Sequence, residues 1–148
     1  MSQARRAVDP AALDSLLEMV GGDVDFLDEL VDTFLDDAVS QLAAMRLAAQ
    51  SDAESLVRPS HSMKTNSANV GAVVLAQMCR ELEASARTGS LEGAPEQVAA
   101  ADAEFGAVRS ALLALRADRT ERLRADPRRR RGATVDGDAP PGRPGNRG

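Results

Sequence analysis

Aromatic side chains and lysine are almost absent from this chain of 148 residues. It contains no Trp, no Tyr, three Phe and a single lysine, Lys64. The apolar content is carried instead by Ala, Leu, Val and Met, and such an aliphatic composition favours helices over sheets. No run of residues alternates in the way that would indicate a strand, so the sequence predicts an all-α protein.

Cysteine and long apolar runs are also scarce. The only cysteine, Cys79, excludes an internal disulfide and a cysteine-based metal cluster. A buried thiol fits a reducing compartment, and we therefore expect a cytoplasmic protein. No stretch approaches the ~18 apolar residues of a membrane span. No apolar run follows Arg5 and Arg6 either, so no signal peptide is expected.

Charge divides the chain into two parts. Residues 1–123 hold 11 basic and 20 acidic side chains, whereas residues 124–148 hold 7 basic and 3 acidic ones. The acidic part argues against nucleic acid as its main partner. The basic part is rich in Pro, Gly and Arg and has no apolar period, so it is predicted to be a disordered tail. Its arginine run suits either an acidic surface such as nucleic acid or a solubilising, self-contacting role.

Helical periodicity fills residues 9–123, which we interpret as one domain. A short first helix is predicted after Asp9, as N-cap, and Pro10. Apolar stripes at helical spacing predict four longer helices, around Leu27–Met45, Leu56–Val70, Leu75–Ala86 and Val98–Leu115. The connections between them are short, so neighbouring helices are expected to be antiparallel. Pro59 lies inside the third helix, where it removes one backbone hydrogen bond.

The single histidine, His61, stands three residues before the single lysine, Lys64. On a helix this spacing places both on one face, with Cβ atoms roughly 5–6 Å apart. Imidazole is a good nucleophile that is largely uncharged near neutral pH, and a neighbouring cation suits a group that becomes anionic, such as a phosphoryl group. Thr65 and Ala68, on the same stripe, are small and leave room beside the ring. An exposed histidine with an unrelated lysine neighbour is the alternative interpretation of the pair alone.

The residues around His61 and Lys64 form a recognisable set of motifs. The motifs are His61-x-x-Lys64, Ser67-Ala68-Asn69-Val70-Gly71-Ala72, Leu75-x-x-x-Cys79-x-x-Leu82-Glu83-x-x-Ala86-Arg87-x-Gly89 and, upstream, Gly22-Asp23-x-Asp25-Phe26-Leu27-x-Glu29-Leu30 with Phe34. In this combination the sequence resembles the histidine-containing phosphotransfer (HPt) domain of two-component phosphorelays. The resemblance covers roughly residues 9–117.

The resemblance implies an antiparallel four-helix bundle with an extra short N-terminal helix and an exposed active histidine. It implies that His61 is the phosphoryl acceptor and that Lys64 stabilises the charge of the phosphoryl group. Glu83 matches a position that is often Gln or Glu and lies near the histidine. Thr65 replaces a residue that is often Gly or Ser, and Thr65 and Ala68 are expected to lie in the partner-binding surface.

The predicted partners are receiver domains of response regulators or of hybrid histidine kinases. The sequence has no Gly-rich phosphate loop, so we expect a phosphocarrier without an ATP site of its own. We expect no cofactor, because the receiver would supply Mg²⁺. Two alternatives are a helical adaptor that binds receiver or kinase domains without transferring phosphate, and a metal-dependent or hydrolytic enzyme. One histidine and one cysteine cannot build a usual His/Cys zinc site, which counts against the enzyme.

Overall fold

The computed structural model describes residues 6–125, and this part of the chain is all-α. Five helices follow one another: α1 (Pro10–Met19), α2 (Val24–Ala48), α3 (Ala53–Asn69), α4 (Val73–Arg87) and α5 (Ala94–Ala125). Helices α2 to α4 and the part of α5 up to Ala114 form the predicted antiparallel four-helix bundle, and α1 is the extra short helix. No helix within residues 6–125 is long and apolar enough to cross a membrane. The predicted tail, except for residues 124 and 125 at the end of α5, lies outside the described residues.

The chain divides into two compact units after Ala114. The first unit contains α1 to α4 and the part of α5 that precedes this point. The second unit begins at Leu115 with the remainder of α5, where Arg122 and Asp118 form an ion pair of 3.7 Å. All the side chains discussed as a functional site belong to the first unit.

Aspartate side chains cap the first three helices. Asp9, Asp23 and Asp52 each accept a hydrogen bond of 3.0–3.1 Å from a backbone N–H in the first turn of α1, α2 and α3. These bonds satisfy N–H groups that have no partner within the helix. Pro10 occupies the first turn of α1, where its missing N–H costs nothing. The predicted start of α1 is therefore confirmed, and α2 and α3 begin in the same way.

Gly71 fixes the turn between α3 and α4 against α1. Its φ of +78° favours glycine, and a Cβ added there would lie 2.6 Å from the Cβ of Ala12 and 2.8 Å from the carbonyl oxygen of Asp9. The backbone N–H of Asp9 also donates a 2.9 Å hydrogen bond to the Gly71 carbonyl. Close backbone contact thus holds the start of α1 on the end of the α3 helix.

The apolar stripes predicted from the sequence form the core. Phe34 of α2 and Phe105 of α5 meet edge to face, with ring centroids 6.1 Å apart. One face of α3 is buried throughout and continues into the residue that follows the helix: Leu56, Ser60, Met63, Ser67 and Val70. Helix α3 continues through Pro59, which is itself buried. The stripe of α3 next to this buried face carries His61, Lys64 and Thr65.

Candidate functional site

His61 projects from the exposed stripe of α3 beside α4. Its side chain is 54% exposed, and that of Lys64, one turn further along, is 26% exposed. Both side chains reach the same partner, Glu83 of α4, because α3 and α4 pack against each other. The predicted location of His61 and Lys64 on one accessible face is therefore confirmed.

Glu83 connects the two residues. Its Oε2 lies 2.9 Å from Nδ1 of His61, and its Oε1 lies 2.7 Å from Nζ of Lys64. The Glu83 side chain is only 6% exposed, so it approaches the pair from the interior side of the two helices. The structure thus brings together His61, Lys64 and Glu83, as the resemblance led us to expect.

Arg87 is a fourth member that the sequence analysis did not assign to the site. Its Nε and Nη2 donate hydrogen bonds of 3.1 and 2.7 Å to Oε2 of Glu83. The spacing of four residues on α4 allows this contact and was a signal available in the sequence. Without a known partner for Glu83, however, that spacing was indistinguishable from an ordinary pair on a helix surface. The cluster of His61, Lys64, Glu83 and Arg87 is called the histidine cluster below.

Charge in the histidine cluster is set by Glu83. Burial raises the pKa of this carboxyl, but hydrogen bonds from Lys64, Arg87 and His61 outweigh burial and hold the pKa at about 2. Glu83 is therefore ionised at neutral pH, between two cations. With a neutral imidazole the cluster carries one net positive charge, which suits an anionic group on the exposed side.

The Glu83 contact also orients the imidazole. An ionised carboxylate can only accept a hydrogen bond, so Nδ1 of His61 carries the proton in this contact. The neutral ring then has its lone pair on Nε2. Because Glu83 occupies the interior side of the ring and the ring is half exposed, Nε2 is the nitrogen available to an external reactant.

Thr65 and Ala68 are exposed on α3 beyond His61. Both side chains are small, which leaves room beside the imidazole. Next to it, a groove of about 290 Å³ between α1, α2 and α3 has mainly apolar walls that include Leu30, Phe34 and Val70. The role of Thr65 and Ala68 in binding a partner stays a prediction.

Other chemistry has little support among the described residues. Cys79 is fully buried, and burial raises the pKa of its thiol to about 12, so the thiolate is not formed near neutral pH. Within residues 6–125 no three His, Cys, Asp or Glu side chains are grouped so that they could hold a metal ion. The histidine cluster is therefore the site whose chemistry needs explanation.

Comparison with known proteins agrees with this fold and this cluster. The profile of the Hpt domain family matches residues 29–118. Among solved structures, the crystal structure of histidine-containing phosphotransfer protein B (HptB) from Pseudomonas aeruginosa PAO1 is 37% identical in sequence. The match covers 78% of this chain and 96% of that one, with a TM-score of 0.67. No curated protein sequence matched the chain.

The chain belongs to the Hpt domain family. It is accordingly a histidine phosphotransfer protein of phosphorelays, a class of phosphocarriers that work with receiver domains of two-component systems. The family match includes α3 and α4 and therefore all four residues of the histidine cluster.

Proposed function

We propose that this protein accepts a phosphoryl group on His61 from the aspartyl phosphate of a receiver domain, or from a kinase, and passes it to another receiver. The observation that carries the proposal is the 2.9 Å contact between Nδ1 of His61 and the buried carboxylate of Glu83. This contact fixes the ring and leaves Nε2 free on an exposed face. A phosphocarrier needs such a nucleophile, whereas a purely structural histidine does not.

The transfer step follows from this geometry. The Nε2 lone pair attacks the phosphorus in line with the bond to the aspartyl oxygen. As the N–P bond forms, the P–O bond breaks and its electron pair returns to the aspartate as a carboxylate. The Nδ1 proton stays in its hydrogen bond to Glu83, so the phosphorylated ring carries a positive charge beside a negative one. The reverse sequence returns the phosphoryl group to a second receiver.

Lys64 and Arg87 offset charge on the phosphoryl oxygens. Each uses some of its N–H donors for Glu83, and each has further donors that can turn toward the exposed side. A pair of unit charges 4 Å apart is worth about 4 kcal/mol at an effective dielectric near 20. Solvent screening at an exposed site reduces this to roughly 1 kcal/mol or less for each cation. Their contribution is therefore to hold the phosphoryl group rather than to drive its transfer.

The partner supplies the remaining chemistry. Mg²⁺ and the carboxylates that bind it would come from the receiver domain, so this chain would need no cofactor and no ATP site. The apolar groove between α1, α2 and α3 and the small side chains of Thr65 and Ala68 support docking of a receiver over α3. An adaptor that binds without transfer would have no need for the complete histidine cluster, and no observation favours that function.

The proposal is tested by incubating the protein with phosphorylated receiver domains from the same organism and measuring its intact mass. We expect the mass of one phosphoryl group to be gained by the wild-type protein and lost on treatment with acid. His61→Gln should gain none. A protein that gains no phosphoryl mass from any receiver, or a variant that still gains it, would refute the assignment.

A further inference from the structure

A second feature of the α3–α4 face is a groove that begins one turn before His61. It encloses about 580 Å³ and is lined by Glu54, Val57 and Arg58 of α3 and by Ala86, Arg87 and Gly89 at the end of α4. Val57 and Ala86 give it an apolar floor, and two arginines stand on its rim. We call it the basic groove.

Arg58 is the arginine of the basic groove that has no charged partner among residues 6–125. It is exposed, and within residues 6–125 it makes no ion pair and no side-chain hydrogen bond. Glu54, one turn before it on α3, is not within ion-pair distance. Arg87, by contrast, is bound to Glu83. The Arg58 guanidinium therefore offers all its N–H donors to a group from outside.

The face around His61, which includes the basic groove, is less acidic than the rest of the first unit. Between residues 6 and 114 the chain has seven basic and eighteen acidic side chains. Three of the seven, Arg58, Lys64 and Arg87, lie on the face around His61. Glu54 and Glu83 lie on the same face, so three cations meet two carboxylates and the face carries one net positive charge. A positive region on an acidic body concentrates the field at one place and attracts a partner whose own binding face is acidic.

We propose that the basic groove is a docking subsite for a receiver domain and that Arg58 binds a carboxylate beside the receiver's phosphorylated aspartate. This inference rests on the proposed function. A receiver must present carboxylates around that aspartate, because Mg²⁺ is held by oxygen ligands. An arginine binds a carboxylate through two parallel hydrogen bonds, and the pairing fixes orientation as well as affinity.

The size of a normal interface places Arg58 under such a partner. A standard protein interface covers about 800 Å² on each side, which corresponds to a patch of roughly 16 Å radius. Arg58 is three residues from His61 on one helix, a spacing that separates Cβ atoms by only about 5–6 Å. A receiver whose interface is centred on His61 therefore covers Arg58. A receiver without a matching carboxylate leaves this charge desolvated and unpaired, so Arg58 selects among receivers.

The experiment compares two charge reversals with two phosphoryl donors. Arg58→Glu removes the proposed contact, and Arg58→Gln removes the charge alone. Arg109→Glu is the matched control, because Arg109 is an exposed arginine of α5 in a groove that is lined only by residues of α2 and α5. Rates of phosphoryl gain are measured with a phosphorylated receiver, at low and high salt, and with phosphoramidate, a small donor that needs no docking.

With the receiver at low salt, we expect Arg58→Glu to react about tenfold more slowly than wild type, and Arg58→Gln about threefold more slowly. High salt should narrow both differences, because it screens attraction between exposed charges. Arg109→Glu should stay within about twofold of wild type, and all variants should react normally with phosphoramidate.

An Arg58→Glu rate with the receiver that equals the rate of Arg109→Glu would overturn the docking role. Equal loss with both donors would also overturn it, since Arg58 would then act on the surroundings of His61. If wild type reacts with neither donor, the proposed function itself fails.

Discussion

The buried carboxylate of Glu83 gives the account its most quantitative test, because its ionisation is linked to folding. Glu83→Gln keeps the shape of the side chain but removes the charge that Lys64 and Arg87 share. Contacts with Lys64 and Arg87 favour the ionised form of Glu83 in the folded protein. These contacts therefore stabilise the native state of the wild type at any pH at which this carboxyl would also be ionised in the unfolded chain. The variant should lack this stabilisation at neutral pH.

The size of the effect follows from the pKa of Glu83. A pKa of about 2 in place of the ordinary 4.5 corresponds to at most about 3 kcal/mol of unfolding free energy at neutral pH. The side chains of His61 and Arg87 are more than half exposed. Solvent therefore screens part of the attraction, and we expect about 1–2 kcal/mol.

The sign of the pH dependence is set by the lowered pKa. The pKa of Glu83 is lower in the folded protein than in the unfolded chain. Its stabilising contribution is therefore fully present above the unfolded pKa, and it is lost as the pH falls through the folded pKa. Urea unfolding of the wild type and Glu83→Gln at several pH values should show a constant difference above about pH 5. This difference should shrink steadily toward about pH 2.

The control is Glu81→Gln on the same helix. Glu81 is exposed and accepts a 3.2 Å hydrogen bond from Gln77, so its substitution should change the unfolding free energy by less than about 0.5 kcal/mol. A difference between wild type and Glu83→Gln that does not vary between pH 7 and pH 2 would refute the reasoning. The cations would then not be what stabilises the carboxylate.

Three further outcomes are expected. His61→Gln should abolish phosphoryl uptake, which intact mass spectrometry measures. It should change the unfolding free energy, measured by urea unfolding, by less than about 0.5 kcal/mol, because the ring is exposed. Thr65→Trp and Ala68→Arg should block transfer from a receiver by bulk yet react normally with phosphoramidate, and equal loss with both donors would contradict docking over this stripe. Removing residues 126–148 should leave the thermal unfolding temperature nearly unchanged, and a fall of many degrees would show that this segment packs on the bundle.

Much of the fold followed from periodicity, since apolar residues that recur at helical spacing must be buried together. The apolar stripe around Leu56–Val70 predicted helix α3, and the three-residue spacing placed His61 and Lys64 together on one face of it. The C-terminal limit was less accurate: α5 continues to Ala125, although the apolar stripe fades earlier. Ala, Arg and Glu have high helix propensity, so a helix can extend past the last residue that its core requires.

The site was only partly predictable, because its central contact joins residues 22 positions apart. Local spacing placed Lys64 beside His61, but only the family resemblance suggested that Glu83 lies near His61. Neither indicated that the Lys64 ammonium is bound to Glu83, or that Arg87 shares the same carboxylate. Such contacts depend on the register between α3 and α4, which is set by packing along the whole length of both helices.

The most direct test of the central claim uses the fact that His61 is the only histidine. Long-range ¹H–¹⁵N NMR of the ring identifies which nitrogen carries the proton and which receives the phosphoryl group. We predict a neutral ring protonated on Nδ1 before transfer, and a bond from phosphorus to Nε2 after incubation with a phosphorylated receiver, with the Nδ1 proton retained. A phosphoryl group on Nδ1, or an unmodified ring in a protein that has gained phosphoryl mass, would contradict the account.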